Sequence, residues 1–281
     1  MRRLRRQYLD RTGVKQYDRI PLYDPRLPMI VLWSQKAGST TAVKWYFEKL
    51  GLFDEALAYH HFAHRYEMEV FKKRTGYSRD LKAALTDASL PVVKFVRDPA
   101  ARAFSSYVFL NVQAKPEKAA YPVYYWRRRV LHAVHGAVDE FKKPFSFLDY
   151  LRWLAGADPN SLDGHLAPQV TALEKRLTER LTIVRIEDLP QGFADLEKRF
   201  GLSPADPKKA ELISTSHHHY PKDADRRRFE HILQEGLEPP IQEGADMPPV
   251  TTKMLADYPE AYDLVNTVFA EDYHAYGYGD G

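Results

Sequence analysis

The stretch from Pro28 to Leu50, PMIVLWSQKAGSTTAVKWYFEKL, decides the fold because it passes from an apolar run through small residues into an amphipathic segment. Met29 to Trp33 are five uninterrupted apolar residues, a pattern typical of a strand buried on both faces of a parallel sheet. The next residues, Ser34 to Ser39, form the turn, and Ser39 or Thr40 is expected to cap the helix that follows. The segment therefore predicts a strand, a loop and a helix.

The loop in this segment is suited to an anionic group. Gly38 permits unusual backbone angles, and the N–H groups at the start of the helix face the loop. The helix dipole adds partial positive charge there, and Lys36 adds a full charge. In the nucleoside triphosphate P-loop the lysine follows the second glycine, whereas Lys36 precedes Gly38. The same letters also fit an ordinary capped turn with a solvated lysine.

Composition limits the possible functions. The 281 residues are 44% hydrophobic, which is enough for a sizeable core, and we expect a single domain over 28–281 behind a basic N-terminal arm at 1–27. The net charge of +3 gives no support for a nucleic-acid partner. The chain has no cysteine, which excludes disulfides and thiolate metal sites.

The N-terminal arm and the hydropathy bear on location. No apolar run approaches the ~20 residues that span a bilayer. MRRLRRQYLDRTGVKQ has a charged start without the apolar region of a signal peptide. We therefore predict a cytoplasmic protein. The arginines of the arm fit either a solvated terminus or peripheral contact with an anionic membrane at its inner face. They are Arg2, Arg3, Arg5 and Arg6.

A second strand and helix follow in LPVVKFVRDPAARAFSSYVFL, from Leu90 to Leu110. Val92 to Val96 is the strand, and Arg97 stands at its carboxyl end, where open parallel sheets bind ligands. Ser105 follows about two helical turns later, so its hydroxyl can lie on the same side as Arg97. Arginine and serine together suit a phosphate. A salt bridge at the helix start with a buried serine fits equally well.

Two motifs in this order resemble those of sulfotransferases that use 3′-phosphoadenosine 5′-phosphosulfate (PAPS). KAGSTT is similar to their phosphosulfate loop, K-x-G-[ST]-[ST]. RDPAARAFSSY is similar to the 3′-phosphate motif R-D-P-x-x-R-x-x-S-x-Y of the carbohydrate branch, which includes heparan 2-O- and chondroitin sulfotransferases. DGHLAPQ, from Asp163 to Gln169, also resembles a segment of that branch, and the likeness runs from about Met29 to Tyr278.

The resemblance implies a P-loop-like α/β fold with a parallel sheet flanked by helices. It implies in-line sulfuryl transfer from PAPS, without a metal, to a hydroxyl of a carbohydrate or glycolipid, leaving the diphosphate PAP. Arg97 and Ser105 would hold the 3′-phosphate, and Arg102 would be structural. The 5′-phosphosulfate would be held by Lys36, Ala37, Gly38, Ser39, Thr40 and Thr41.

The general base is predicted from AYHHFAHRYEMEV, which supplies three histidines and Glu67. Metal binding, packing and proton transfer all suit such histidines, although no HExxH frame is present. A neutral imidazole accepts a proton near neutral pH, so we favour His61 and then His64 as the base, with Glu67 and His165 next. Two other function classes remain open: a magnesium-dependent P-loop kinase or nucleotidase, and a noncatalytic PAP-binding module.

Overall fold

The computed structural model describes residues 20–112, 122–136, 143–206, 209, 223–238 and 247–279. The first 19 positions of the predicted basic arm, with the four arginines on which membrane contact rests, lie outside the described residues. Among the residues that are described, no helix has both the length and the apolar character needed to cross a bilayer.

The described residues form an α/β fold with three strands. In chain order, the elements of the first half are β1 (Ile30–Trp33), α1 (Ser39–Lys49), α2 (Phe53–Tyr59), α3 (Ala63–Glu69), α4 (Tyr77–Thr86), β2 (Val92–Val96), α5 (Pro99–Val112) and α6 (Pro122–His135). Those of the second half are α7 (Phe147–Ala155), α8 (Ala172–Lys175), β3 (Leu181–Arg185), α9 (Leu189–Phe200), α10 (Asp223–Gln234), α11 (Thr252–Leu255), α12 (Pro259–Val268) and α13 (Ala270–Tyr276).

The chain packs as two compact units, each built from two separated segments. The first unit comprises Met1–Arg97 and Gln169–His217, and the second comprises Asp98–Pro168 and His218–Gly281. Each unit has its own hydrophobic core.

The sheet belongs to the first unit and is parallel throughout, in the order β1-β2-β3. Ile30 pairs with Val92, and Val92 pairs with Leu181 on its other side. Every residue of β1 and β2 is buried, including Lys94 in the middle of β2, while β3 is more exposed. Because parallel strands place their carboxyl ends at one edge, the residues that follow β1 and β2 share that edge.

Aromatic packing fixes α1 in the first unit. Trp45 stacks on Phe193 of α9, with ring centroids 5.1 Å apart and planes inclined by 9°. The indole Nε1 of Trp45 donates to Glu197 Oε1 at 3.2 Å, so the buried ring has its polar partner. Gly51 follows the C-cap residue Leu50 with a φ of 69°, a conformation typical of the residue after a helix end. Helix α1 is therefore held at a fixed place beside the sheet.

The second unit is helical around its core. Asp98 accepts from Ala101 N at 2.9 Å and thereby caps α5. Arg102 is buried and donates to the carbonyl of Gly164 at 2.7 Å, in keeping with a structural role. Burial lowers the pKa of Arg102, and the nearby charge of Asp272 opposes that shift.

Candidate functional site

The candidate site lies in the first unit, at the carboxyl ends of β1 and β2. These strands are direct neighbours, with Trp33 opposite Phe95, so the loop after β1 and Arg97 after β2 emerge side by side as predicted. The guanidinium of Arg97 donates from Nη1 to the backbone carbonyl of Lys36 at 3.2 Å. Two cationic residues of the predicted site are thus brought together.

The loop is a tight turn with Lys36 in an unusual conformation. Ala37 N donates to the Ser34 carbonyl at 3.2 Å, which closes the turn. Lys36 has a φ of 64°, and within the described ranges no other non-glycine residue has a positive φ. Such a backbone costs about 1 to 3 kcal/mol and concentrates at binding and catalytic sites. The loop therefore holds Lys36 in a strained conformation that glycine would adopt more easily.

The start of α1 differs from the prediction that Ser39 or Thr40 would cap it. Gly38 occupies the N-cap with a φ of 65°, and no side-chain hydrogen bond caps the helix. That prediction was wrong because the left-handed residue Gly38 is itself the N-cap, so the helix already includes Ser39. A helix start without a side-chain cap suits an anionic ligand, because its N–H groups need acceptors.

Gly38 also has no room for a side chain. A Cβ built on it would lie 2.9 Å from Ile186 Cγ2, just beyond the end of β3. Gly51 at the other end of the same helix also has a positive φ, but nothing lies within 4 Å of a Cβ there. An added side chain would therefore cause backbone strain alone at Gly51, but both backbone strain and a clash with Ile186 at Gly38.

Substitution of these two glycines tests the tight loop. We expect Gly51→Ala to cost about 1 to 2 kcal/mol of unfolding free energy, from left-handed strain alone. Gly38→Ala should cost about 1 kcal/mol more, because Ile186 must also move. Denaturant unfolding of both variants measures the difference. Equal destabilisation would contradict the close packing of the loop against Ile186.

Gln169 is a site residue that sequence reasoning did not single out. Its side chain accepts from Arg97 N at 2.9 Å and donates to Arg97 O at 2.8 Å. It is fully buried. The only sequence signal was its place at the end of the DGHLAPQ segment, because the two residues are 72 positions apart.

The predicted bases His61 and His64 have different surroundings. His61 lies in the short bend between α2 and α3, is exposed, and contacts the ring of His60 with centroids 4.2 Å apart. His60 shapes this bend, because its Nδ1 accepts from Phe62 N at 2.9 Å. An exposed imidazole on a short bend is accessible to a hydroxyl group of a molecule in solution.

His64 is instead buried on α3. Its ring centroid lies 4.9 Å from that of Trp33, the last residue of β1. Its Nδ1 is 2.5 Å from Glu67 Oε2, and the other oxygen of Glu67 pairs with Lys72, which also donates to the Ile20 carbonyl. With 2% of His64 and none of Glu67 exposed, this pair is buried beside the end of β1.

Thr40 and Thr41 lie in the first turn of α1, where Thr41 is buried, whereas Ser105 and His165 lie in the second unit. Ser105 is half-buried on α5, and the hydroxyl oxygen of its neighbour Ser106 lies 2.9 Å from the carbonyl oxygen of Arg102 and 2.5 Å from that of His165, so the two carbonyls share its single proton. His165 Nδ1 lies 2.5 Å from Asp163 Oδ1, and its ring stacks on Phe109 with centroids 4.6 Å apart. The pairing of Arg97 with Ser105 stays a prediction.

The acidic and imidazole side chains do not converge on a metal centre in the part of the chain that the structure describes. No group of three or more His, Asp or Glu residues there could hold a metal ion. Comparison with known proteins gives no match, whether to a protein-family model, a curated protein or a solved structure.

Proposed function

We propose that the chain is a PAPS-dependent sulfotransferase that acts on a carbohydrate or glycolipid hydroxyl. The observation that carries the proposal is the edge formed by the Lys36 loop, the uncapped start of α1 and Arg97. The K-x-G-[ST]-[ST] and R-D-P-x-x-R-x-x-S-x-Y patterns support it, since they place these same residues in two separate phosphate sites. In this proposal the three-stranded sheet belongs to the P-loop-like class.

The hydrogen-bond donors and cations at this edge fit a nucleotide with two separated anionic groups. The loop offers an ammonium at Lys36 and backbone N–H groups from Gly38 onward, and the first turn of α1 carries the hydroxyls of Ser39, Thr40 and the buried Thr41. Arg97 offers a planar fork suited to a terminal phosphate. Ser105 would bind the 3′-phosphate, as the resemblance to the R-D-P-x-x-R-x-x-S-x-Y motif implies. PAPS, when bound, supplies an activated sulfuryl group and a diphosphate leaving group.

The chain's own residues would stabilise charge and move one proton. The ammonium of Lys36 and the N–H groups of the loop would stabilise the negative charge that grows on the departing phosphate. Because the N–H groups are fixed by the turn and the helix, they would need little reorganisation. His61 would accept the proton of the attacking hydroxyl. Ala37 contributes through the backbone of the turn.

Nucleotide discrimination tests this proposal. If Arg97 binds the 3′-phosphate, PAP should bind more tightly than AMP, and Arg97→Ala should remove most of that difference. A charge-assisted contact of about 1.5 to 3 kcal/mol corresponds to roughly 10- to 150-fold in affinity. Titration calorimetry of PAP and AMP on both proteins gives the ratio.

The exposed Arg199 of α9 offers a matched control, since Arg199→Ala removes the same charge and should leave the PAP to AMP ratio unchanged. Equal binding of PAP and AMP by the wild-type protein would overturn the assignment. Tight, magnesium-dependent binding and turnover of ATP in its place would favour a kinase or nucleotidase.

A further inference from the structure

Gln169 binds the backbone of Arg97 on both sides of its Cα. The amide oxygen accepts from Arg97 N at 2.9 Å, and the amide nitrogen donates to Arg97 O at 2.8 Å. Arg97 comes directly after the last paired residue of β2, Val96. One buried side chain therefore satisfies both polar backbone groups of Arg97 at the point where the ladder ends.

The backbone of Gln169 is itself held by a buried ion pair. Lys94, in the middle of β2, donates to the Gln169 carbonyl at 3.2 Å and pairs with Glu174 of α8. The other oxygen of Glu174 accepts from Thr171 N at 3.1 Å in a capping box. Lys94 and Glu174 are at most 3% exposed. Segment 169–174 is thus tied to the sheet close to the site.

These hydrogen bonds fix the backbone position from which the Arg97 side chain extends. The Arg97 side chain reaches the Lys36 carbonyl, so the orientation of Arg97 and the shape of the lysine loop are linked. A displacement of about 1 Å in a binding group can cost on the order of 10²-fold in rate. Packing alone would be met by an apolar side chain, whereas a side-chain amide supplies a donor and an acceptor on separate atoms, one for the C=O and one for the N–H of Arg97.

We propose that Gln169 is a positioning residue that holds Arg97 for recognition of the 3′-phosphate, an inference that rests on the proposed function. It sets nucleotide selectivity through Arg97 without touching the nucleotide itself. Gln169 and Arg97 should therefore act on nucleotide selectivity as one unit.

Two substitutions of Gln169 test this role by titration calorimetry with PAP and AMP. Gln169→Glu keeps the acceptor for Arg97 N and loses the donor for Arg97 O, while Gln169→Met loses both at similar volume. We expect the PAP to AMP affinity ratio to fall on the order of tenfold in each, with AMP affinity unchanged within about twofold. The exposed Gln191, whose side-chain amide donates to Asp195, supplies the control Gln191→Glu.

A double-mutant cycle separates positioning from general loss of structure. In an Arg97→Ala background, adding Gln169→Met should leave the PAP to AMP ratio unchanged, because no guanidinium remains to be positioned. A further fall in the ratio there would overturn the proposal. So would wild-type selectivity in both single variants, and so would failure of both to fold by circular dichroism. If wild-type protein itself does not prefer PAP, the proposed function fails first.

Discussion

Lys36→Ala protein should fold and should transfer sulfuryl groups at least 10²- to 10³-fold more slowly than wild type. Removing one fixed donor from the charge that develops in a transition state costs about 3 to 4 kcal/mol. Lys36 is half-buried in the loop, and its carbonyl receives the guanidinium of Arg97, so the backbone of the turn can persist without the ammonium. Initial rates at saturating PAPS measure the loss.

Lys36→Gly is the matched variant, because the φ of 64° at this position suits glycine. Relief of about 1 to 2 kcal/mol of strain is offset by about 0.4 to 1 kcal/mol from the freer unfolded chain, so the glycine variant should be the more stable of the two by about 0.5 to 1 kcal/mol. Both variants should be equally inactive. Turnover within tenfold of wild type in either folded protein would contradict a catalytic ammonium.

His61→Ala should lower the transfer rate by roughly 10²- to 10⁴-fold and leave PAP affinity nearly intact. General-base catalysis acts on the acceptor hydroxyl, not on the nucleotide. Because His61 is exposed, its loss should change the unfolding free energy by no more than about 0.5 kcal/mol. Steady-state rates and PAP titrations together separate these effects. The exposed His274, on α13, gives the control His274→Ala.

His64→Ala should behave differently, because it removes the buried partner of Glu67. We expect a loss of about 1 to 3 kcal/mol in unfolding free energy, from the lost hydrogen bond to the buried carboxylate and a cavity beside Trp33. If His61→Ala keeps the full rate and folded His64→Ala loses it, His64 is the base. If both keep the full rate, His165 and Glu67 are next to test.

The strands and the edge that they form could be predicted from sequence. Met29 to Trp33 is an apolar run, and Val92 to Val96 is apolar apart from Lys94, and a parallel sheet buries such runs on both faces, as β1 and β2 show. Arg97 directly follows its run and Lys36 comes three positions after Trp33, so their placement at one edge needed only that the strands be neighbours. The local sequence pattern was sufficient to predict these strands and the residues that follow them.

The finer geometry could not be predicted, because it depends on contacts between distant segments. The helix start at Gly38 follows from the left-handed turn and from Ile186, which lies 148 positions away along the chain (186 − 38). The contact of Gln169 with Arg97 joins residues 72 positions apart. The two histidines also looked equivalent in sequence, and only packing against Trp33 and Glu67 distinguishes the buried one.

The most direct test of the central claim is transfer of radiolabelled sulfate from PAPS to a panel of polysaccharides and glycolipids, with and without a metal chelator. The panel leaves the acceptor open while fixing the donor. We predict label in at least one acceptor, release of one PAP per label transferred, no effect of the chelator, and loss of the signal with Lys36→Ala. Wild-type protein that binds PAP but moves no label to any acceptor, or that turns over ATP with magnesium in its place, would contradict the account.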